Sequence, residues 1–159
     1  MAIADHYFEG ENAWFNDYLQ ATSRYKGALG KTMLYVGVEG VILDEMGRIS
    51  VPQDIAEKLD FVIVDLGQKS QLFAGSGKDM MEKVCRAYRA VCEIPYVQGI
   101  AHPFNVGRLS GNRLRVRDFA KDQLRSVARD MAIHRVSFEI MNQMVWWFPQ
   151  VNPIEFTAE

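Results

Sequence analysis

The chain has 159 residues, 48% of them hydrophobic and 24% charged, which suits one soluble domain with a proper core. Eighteen basic residues against 20 acidic ones leave a net charge of -2 at pH 7, so no basic field points to bulk nucleic-acid binding. No apolar run approaches the roughly 20 residues of a membrane span and no secretory leader is visible. Cys85 and Cys92 fall about two helical turns apart, where bridging is awkward, so a reduced, cytoplasmic setting is expected.

Met1 to Ala4 reads as a strand that runs directly into Asp5-His6. Glu11 to Tyr25 reads as a helix, with Trp14, Phe15, Tyr18, Leu19, Thr22 and Tyr25 recurring at three- and four-residue steps; Gly27 and Gly30 end it. Met33 to Val38 is a β-branched, apolar run suited to a strand buried on both faces, and it leads into Glu39. Asp44 to Arg48, with Gly47 inside, is a turn. Ser50 is placed to cap a short helix whose first turn tolerates Pro52, and Phe61 to Leu66 is the next strand.

After a loop, Ser76 and Asp79 suggest a capping box for a helix over Lys78 to Glu93, with Met81, Val84, Cys85, Tyr88 and Cys92 on one face. Ile94-Pro95 stops it, and Tyr96 to Ala101 reads as a strand ending on His102-Pro103. A loop carrying Arg108, Arg113, Arg115 and Arg117 follows. Next comes a helix over Arg117 to Ile133 burying Ala120, Leu124, Val127, Ala128 and Met131, then a strand over Val136 to Met141. The single domain 1–159 closes with an aromatic, proline-containing tail over 143–159. Strands alternating with amphipathic helices predict an α/β domain of about five mainly parallel strands with helices outside.

Side chains alternate along a strand, so every second residue shares a face. That groups Ala2, Ala4 and His6; Met33, Tyr35, Gly37 and Glu39; Phe61, Ile63, Asp65 and Gly67; Gln98, Ile100 and His102; and Ser137, Glu139 and Met141. His6, Glu39 and His102 thus stand at the carboxyl ends of separate strands, where barrel active sites are built. Two imidazoles and a carboxylate suit zinc, manganese or iron, with a position left open for water. The plainer alternative is a hydrogen-bonded loop histidine and a solvated glutamate.

Gly37-Val38-Glu39, the following aliphatic run, Asp44-x-x-Gly47 and Leu59-Asp60-Phe61-Val62-Ile63 together resemble the PHP (polymerase and histidinol phosphatase) superfamily. Ala4-Asp5-His6 is similar to its Thr-Asp-His strand end, and Ile100-Ala101-His102-Pro103 to its later His-Pro strand end. The resemblance implies an incomplete (β/α) barrel that hydrolyses phosphate esters with a divalent metal: His6, Glu39 and His102 as ligands, Asp5 and Asp65 as catalytic carboxylates. Arg108 and Arg113 are placed to hold a phosphorylated substrate by paired donors, a solvated loop being the alternative. Glu139 and Asn142 are similar to the acidic-and-amide ending of a late strand, suited to substrate or ligand support.

The departures are specific. Nothing precedes Met1 to supply the family's His-x-His, Gly67 stands where a histidine is expected, and no Asp-x-His follows Met141. Aligned this way, Asp65 is one residue out of phase and replaces the missing ligand only through a bulge. The chain reads as a metal-dependent phosphoesterase, or else as a non-catalytic relative binding a metal or phosphorylated ligand, or an assembly protein. Missing barrel strands leave sheet edges, and Trp146, Trp147 and Phe148 are adjacent, so a homo-oligomer, most simply a dimer, is expected, with an internal lid as the alternative.

Overall fold

The computed structural model describes residues 1–10, 12–28, 30–67, 70–73, 77–103 and 119–139. In chain order these form β1 (Ala2–Tyr7), α1 (Phe15–Ala28), β2 (Tyr35–Val41), α2 (Gln53–Ala56), β3 (Phe61–Asp65), a 3-10 turn at Gln71–Phe73, α3 (Gly77–Cys92), β4 (Gly99–Ile100), α4 (Lys121–His134) and β5 (Ser137–Phe138). The five strands make one sheet in the order β1-β2-β3-β4-β5, and every pairing is parallel. The predicted α/β architecture is therefore present, as an open sheet consistent with an incomplete barrel.

Sequential strand order has a geometric consequence. Right-handed crossovers between neighbouring parallel strands place each connecting helix on the same side of the sheet. The core accordingly draws on one face, Tyr7, Val38, Val62, Val64 and Ile100, packed with Phe15 of α1 and with Met80, Val84, Tyr88 and Val91 of α3. The other face carries His6, Gly37, Glu39, Phe61, Ile63, Asp65 and Gly99, the side that lines the interior when such a sheet curls into a barrel.

Several boundaries differ from the expectation, each for a local reason. β2 starts at Tyr35 because Ala2 of β1 pairs there, and it continues to Val41; Met33 lies before the ladder, exposed. α1 begins at Phe15, after a turn in which the Phe15 N–H donates to the Asn12 carbonyl, and runs past Tyr25 to Ala28. β4 shrinks to two residues because Val97 is drawn into a turn with Ile94, while the Gln98 side-chain oxygen takes the Val62 N–H. Ser50 is not a helix cap: its buried hydroxyl donates to the Tyr7 carbonyl and accepts the Val41 N–H, tying β1 to β2, and Pro52 takes the cap position of α2. α4 starts at Lys121, with Ala120 as its exposed N-cap, and not at Arg117; it buries only Val127 and Met131, half-buries Leu124 and exposes Ala128, because it lies at the sheet's end and packs chiefly on α3. Ser76, residues 104–118 and the tail lie outside the described residues.

The predicted turn at Asp44 to Arg48 is held by the Asp44 carboxylate, which accepts the N–H groups of Met46 and Arg48. Gly47 within it has φ +80, and a Cβ there would lie 2.7 Å from that of Ala90. The turn can approach α3 only without a side chain. Cys85 and Cys92 are both free and buried; burial pushes each thiol up to about 11, which suits inert packing groups.

Asp60 joins three elements. Its carboxylate accepts the Lys26 ammonium and the Val36 N–H, while its own N–H donates to the Val36 carbonyl. Asp60→Ala is expected to destabilise the fold by about 1–2 kcal/mol, because the part-buried Val36 N–H loses its acceptor while the half-exposed Lys26 pair adds little. Urea unfolding of the variant checks it.

Candidate metal centre

Register brings the acidic residues together. His6 pairs with Glu39 across β1 and β2, and Val41 pairs with Asp65 across β2 and β3, so the two carboxylates share the open face near the strands' carboxyl ends. One ligand atom each from Glu39, Asp65 and His102 lie within 4.8 Å of one another. His102 Nε2 donates to Glu39 Oε1 over 3.1 Å and stands 3.9 Å from Asp65 Oδ2. These three side chains are only 13–18% exposed. His6, 57% exposed, places Nδ1 4.0 Å from Glu39 Oε2.

His102 reaches this face by a different route from strand alternation. Ile100 pairs with Val64 and is buried in the helix-covered core, so a continued strand would turn His102 toward the helices. The strand stops instead, and His102 has a φ of 28, left-handed territory that costs a non-glycine residue about 1–2 kcal/mol. Its N–H is taken by Glu139 Oε2 at 2.9 Å, and the Glu139 N–H donates to the Ile100 carbonyl. Glu139, expected at a substrate, is therefore engaged with the His102 backbone.

Asp65 needs no bulge. β3 pairs without interruption from Phe61 to Asp65, and Asp65 faces the same way as Glu39. Gly67 follows where a Cβ would meet the Val41 methyls at 2.8 and 2.9 Å and Asp65 Oδ1 at 3.3 Å. A side chain there would collide with Val41 and crowd Asp65, so this end of β3 offers the Asp65 carboxylate and no histidine. Asp5, expected to be catalytic, pairs with Val38 and so faces away from Glu39; it is exposed, and its carboxylate accepts the His6 N–H. Arg108, Arg113 and Asn142 lie outside the described residues.

Electrostatics couples the cluster. Burial raises the Glu39 carboxyl, but the His102 hydrogen bond and the charges of His102 and His6 outweigh it and hold it below the usual range. Burial pulls the His102 imidazole down, yet the Glu39 bond and the charges of Glu39, Asp65 and Glu139 carry it above the ordinary 6.5. Two half-buried carboxylates thus share one imidazole, an arrangement that a divalent cation would neutralise.

Two neighbours were not singled out from the sequence. The Phe8 ring stacks on His6 at 5.7 Å, a contact that the two-residue strand period makes available. A cavity of about 150 Å³ lies alongside, lined by Phe8, Glu9, Val41, Leu43, Arg48, Ser50 and Gln71. Its residues come from three separate segments, which no local pattern connects.

No family model matches the chain. Over 69 residues it is 41% identical to a protein of Caldanaerobacter subterraneus subsp. tengcongensis named as a probable phosphatase; the match covers 43% of this chain and 26% of that protein. The chain therefore matches about a quarter of the length of that curated relative, and the likeness supports a phosphatase relationship. Among the described residues, no helix is long and apolar enough to cross a membrane.

Proposed function

We propose that the chain is a reduced PHP-type phosphoesterase that uses a divalent cation held by Glu39, Asp65 and His102, with His6 as a further ligand from the exposed side. The observation that carries this reading is the convergence of those three side chains on the open face of a parallel sheet. The donor set fits zinc, manganese or iron. An ion held there supplies Lewis acidity to a phosphoryl oxygen and acidifies a water. Glu39, kept ionised by its neighbours, and Asp65 provide the negative charge that holds it. His102 delivers a neutral nitrogen once its proton leaves, and Phe8 limits the room beside His6. The small cavity beside Phe8 has room for only a few atoms of a substrate's organic part.

Hydrolysis of p-nitrophenyl phosphate and of its bis-ester, with manganese or zinc added, tests this reading. Metal-stimulated turnover that disappears in His102→Ala and with a chelator is expected. Turnover indifferent to both would contradict it. A second reading rests on the sterically closed position at Gly67, which leaves this side of the site with one carboxylate in place of a histidine: a single ion bound without turnover. Stoichiometric metal uptake with no hydrolysis of either ester would select it.

A further inference from the structure

We propose that Glu139 is a positioning residue for the ion site, acting through the backbone of His102. The inference rests on the metal-binding reading above. In an unbroken parallel ladder every second residue of one strand bonds two residues of its neighbour, one on either side of its partner. β4 and β5 follow this: the Ser137 N–H donates to the Gln98 carbonyl and the Glu139 N–H to that of Ile100. The next donor in the series is the His102 N–H, whose regular acceptor is the Glu139 main-chain carbonyl. The Glu139 carboxylate accepts it instead, at 2.9 Å.

That exchange of acceptors occurs at the residue where the chain leaves the strand. His102 and Arg135 are the non-glycine residues of positive φ among the described residues, and Arg135 closes helix α4. His102 has no helix end to explain its conformation. A side-chain acceptor, not tied to the ladder's geometry, keeps the His102 N–H bonded through the strained turn. The turn puts Nε2 within 3.1 Å of Glu39 and 3.9 Å of Asp65, whereas regular alternation would send the ring to the other face. Glu139 therefore touches neither ion nor substrate in this role; it fixes the direction from which the imidazole approaches. Ligand-orienting hydrogen bonds of this kind typically change metal affinity by about 10–100-fold.

Cobalt(II) titration, followed by visible absorption, tests the inference on the wild type, Glu139→Ala, Glu139→Gln and His102→Ala. Glu139→Ala should bind cobalt about 10–100-fold more weakly. Glu139→Gln keeps a side-chain oxygen that can accept the N–H and should recover most of the loss. In the metal-free proteins the His102 amide proton should move upfield in Glu139→Ala and stay near its wild-type position in Glu139→Gln. Glu139 is exposed and lies just past the edge strand β5, so both variants should fold. Wild-type affinity in Glu139→Ala overturns the inference and leaves the metal reading standing. A Glu139→Gln variant as weak as Glu139→Ala overturns it too, because charge rather than the hydrogen bond would then be responsible. If the wild type takes up no cobalt, the metal reading fails and the inference with it.

Discussion

Glu39→Gln is expected to weaken divalent-cation binding by more than the roughly 100-fold typical of substitutions outside the ligand shell, and to abolish any metal-stimulated ester hydrolysis. Glu39 is the hub: it meets His102 at 3.1 Å and His6 at 4.0 Å, so losing its charge disconnects both imidazoles from the cluster. Isothermal titration with manganese or zinc measures the effect; affinity within a few-fold of wild type would refute the role. The same titration across pH has a definite sign. A metal takes neutral imidazole, so affinity should fall as pH drops through the His102 pKa, which lies above 6.5. Metal-free stability runs the other way. A histidine whose folded pKa is raised contributes stability that is fully present below its unfolded value and is lost as pH rises through the folded one. Between pH 6.5 and the raised value, the metal-free protein should lose the His102–Glu39 contribution while its metal affinity climbs.

Tyr88→Ala should cost about 3–5 kcal/mol, as truncation of a large buried ring does, and this is a sizeable part of a domain's total stability. Tyr88 is 1% exposed at the middle of α3, on the side of the helix that the sheet and α4 cover. Met81 on the same helix is only half-buried, and Met81→Ala should cost markedly less. Denaturant unfolding of the two variants compares them. Equal losses would mean that the core is not organised about the face carrying Val38, Val64 and Ile100.

β2 and β3 are legible because each is a largely apolar run with β-branched residues, and parallel order follows from the helices between the strands. β4 is shorter than its sequence suggests: Tyr96 and Val97 look like strand residues, but hydrogen bonding draws Val97 into a turn and gives the Val62 N–H to a side chain. Glu39 and Asp65 were both visible in the period-two pattern. Asp65 reads from the sequence as a catalytic carboxylate and not as a ligand, since matching Gly67 to an expected histidine hides the fact that Asp65 already lies in phase. His102 was found through a strand phase that it does not follow. A left-handed residue interrupts alternation, and nothing in Ala101-His102-Pro103 announces that φ turns positive there. The engagement of Glu139 with that turn depends on contact between β4 and β5, which a one-dimensional pattern does not contain.

Anomalous diffraction from crystals soaked in manganese or zinc at neutral pH is the most direct measurement. An anomalous peak bonded to Glu39, Asp65 and His102 at about 2.0–2.2 Å is the expected result. Crystals that show strong metal peaks elsewhere on the molecule and none among these three side chains would contradict it.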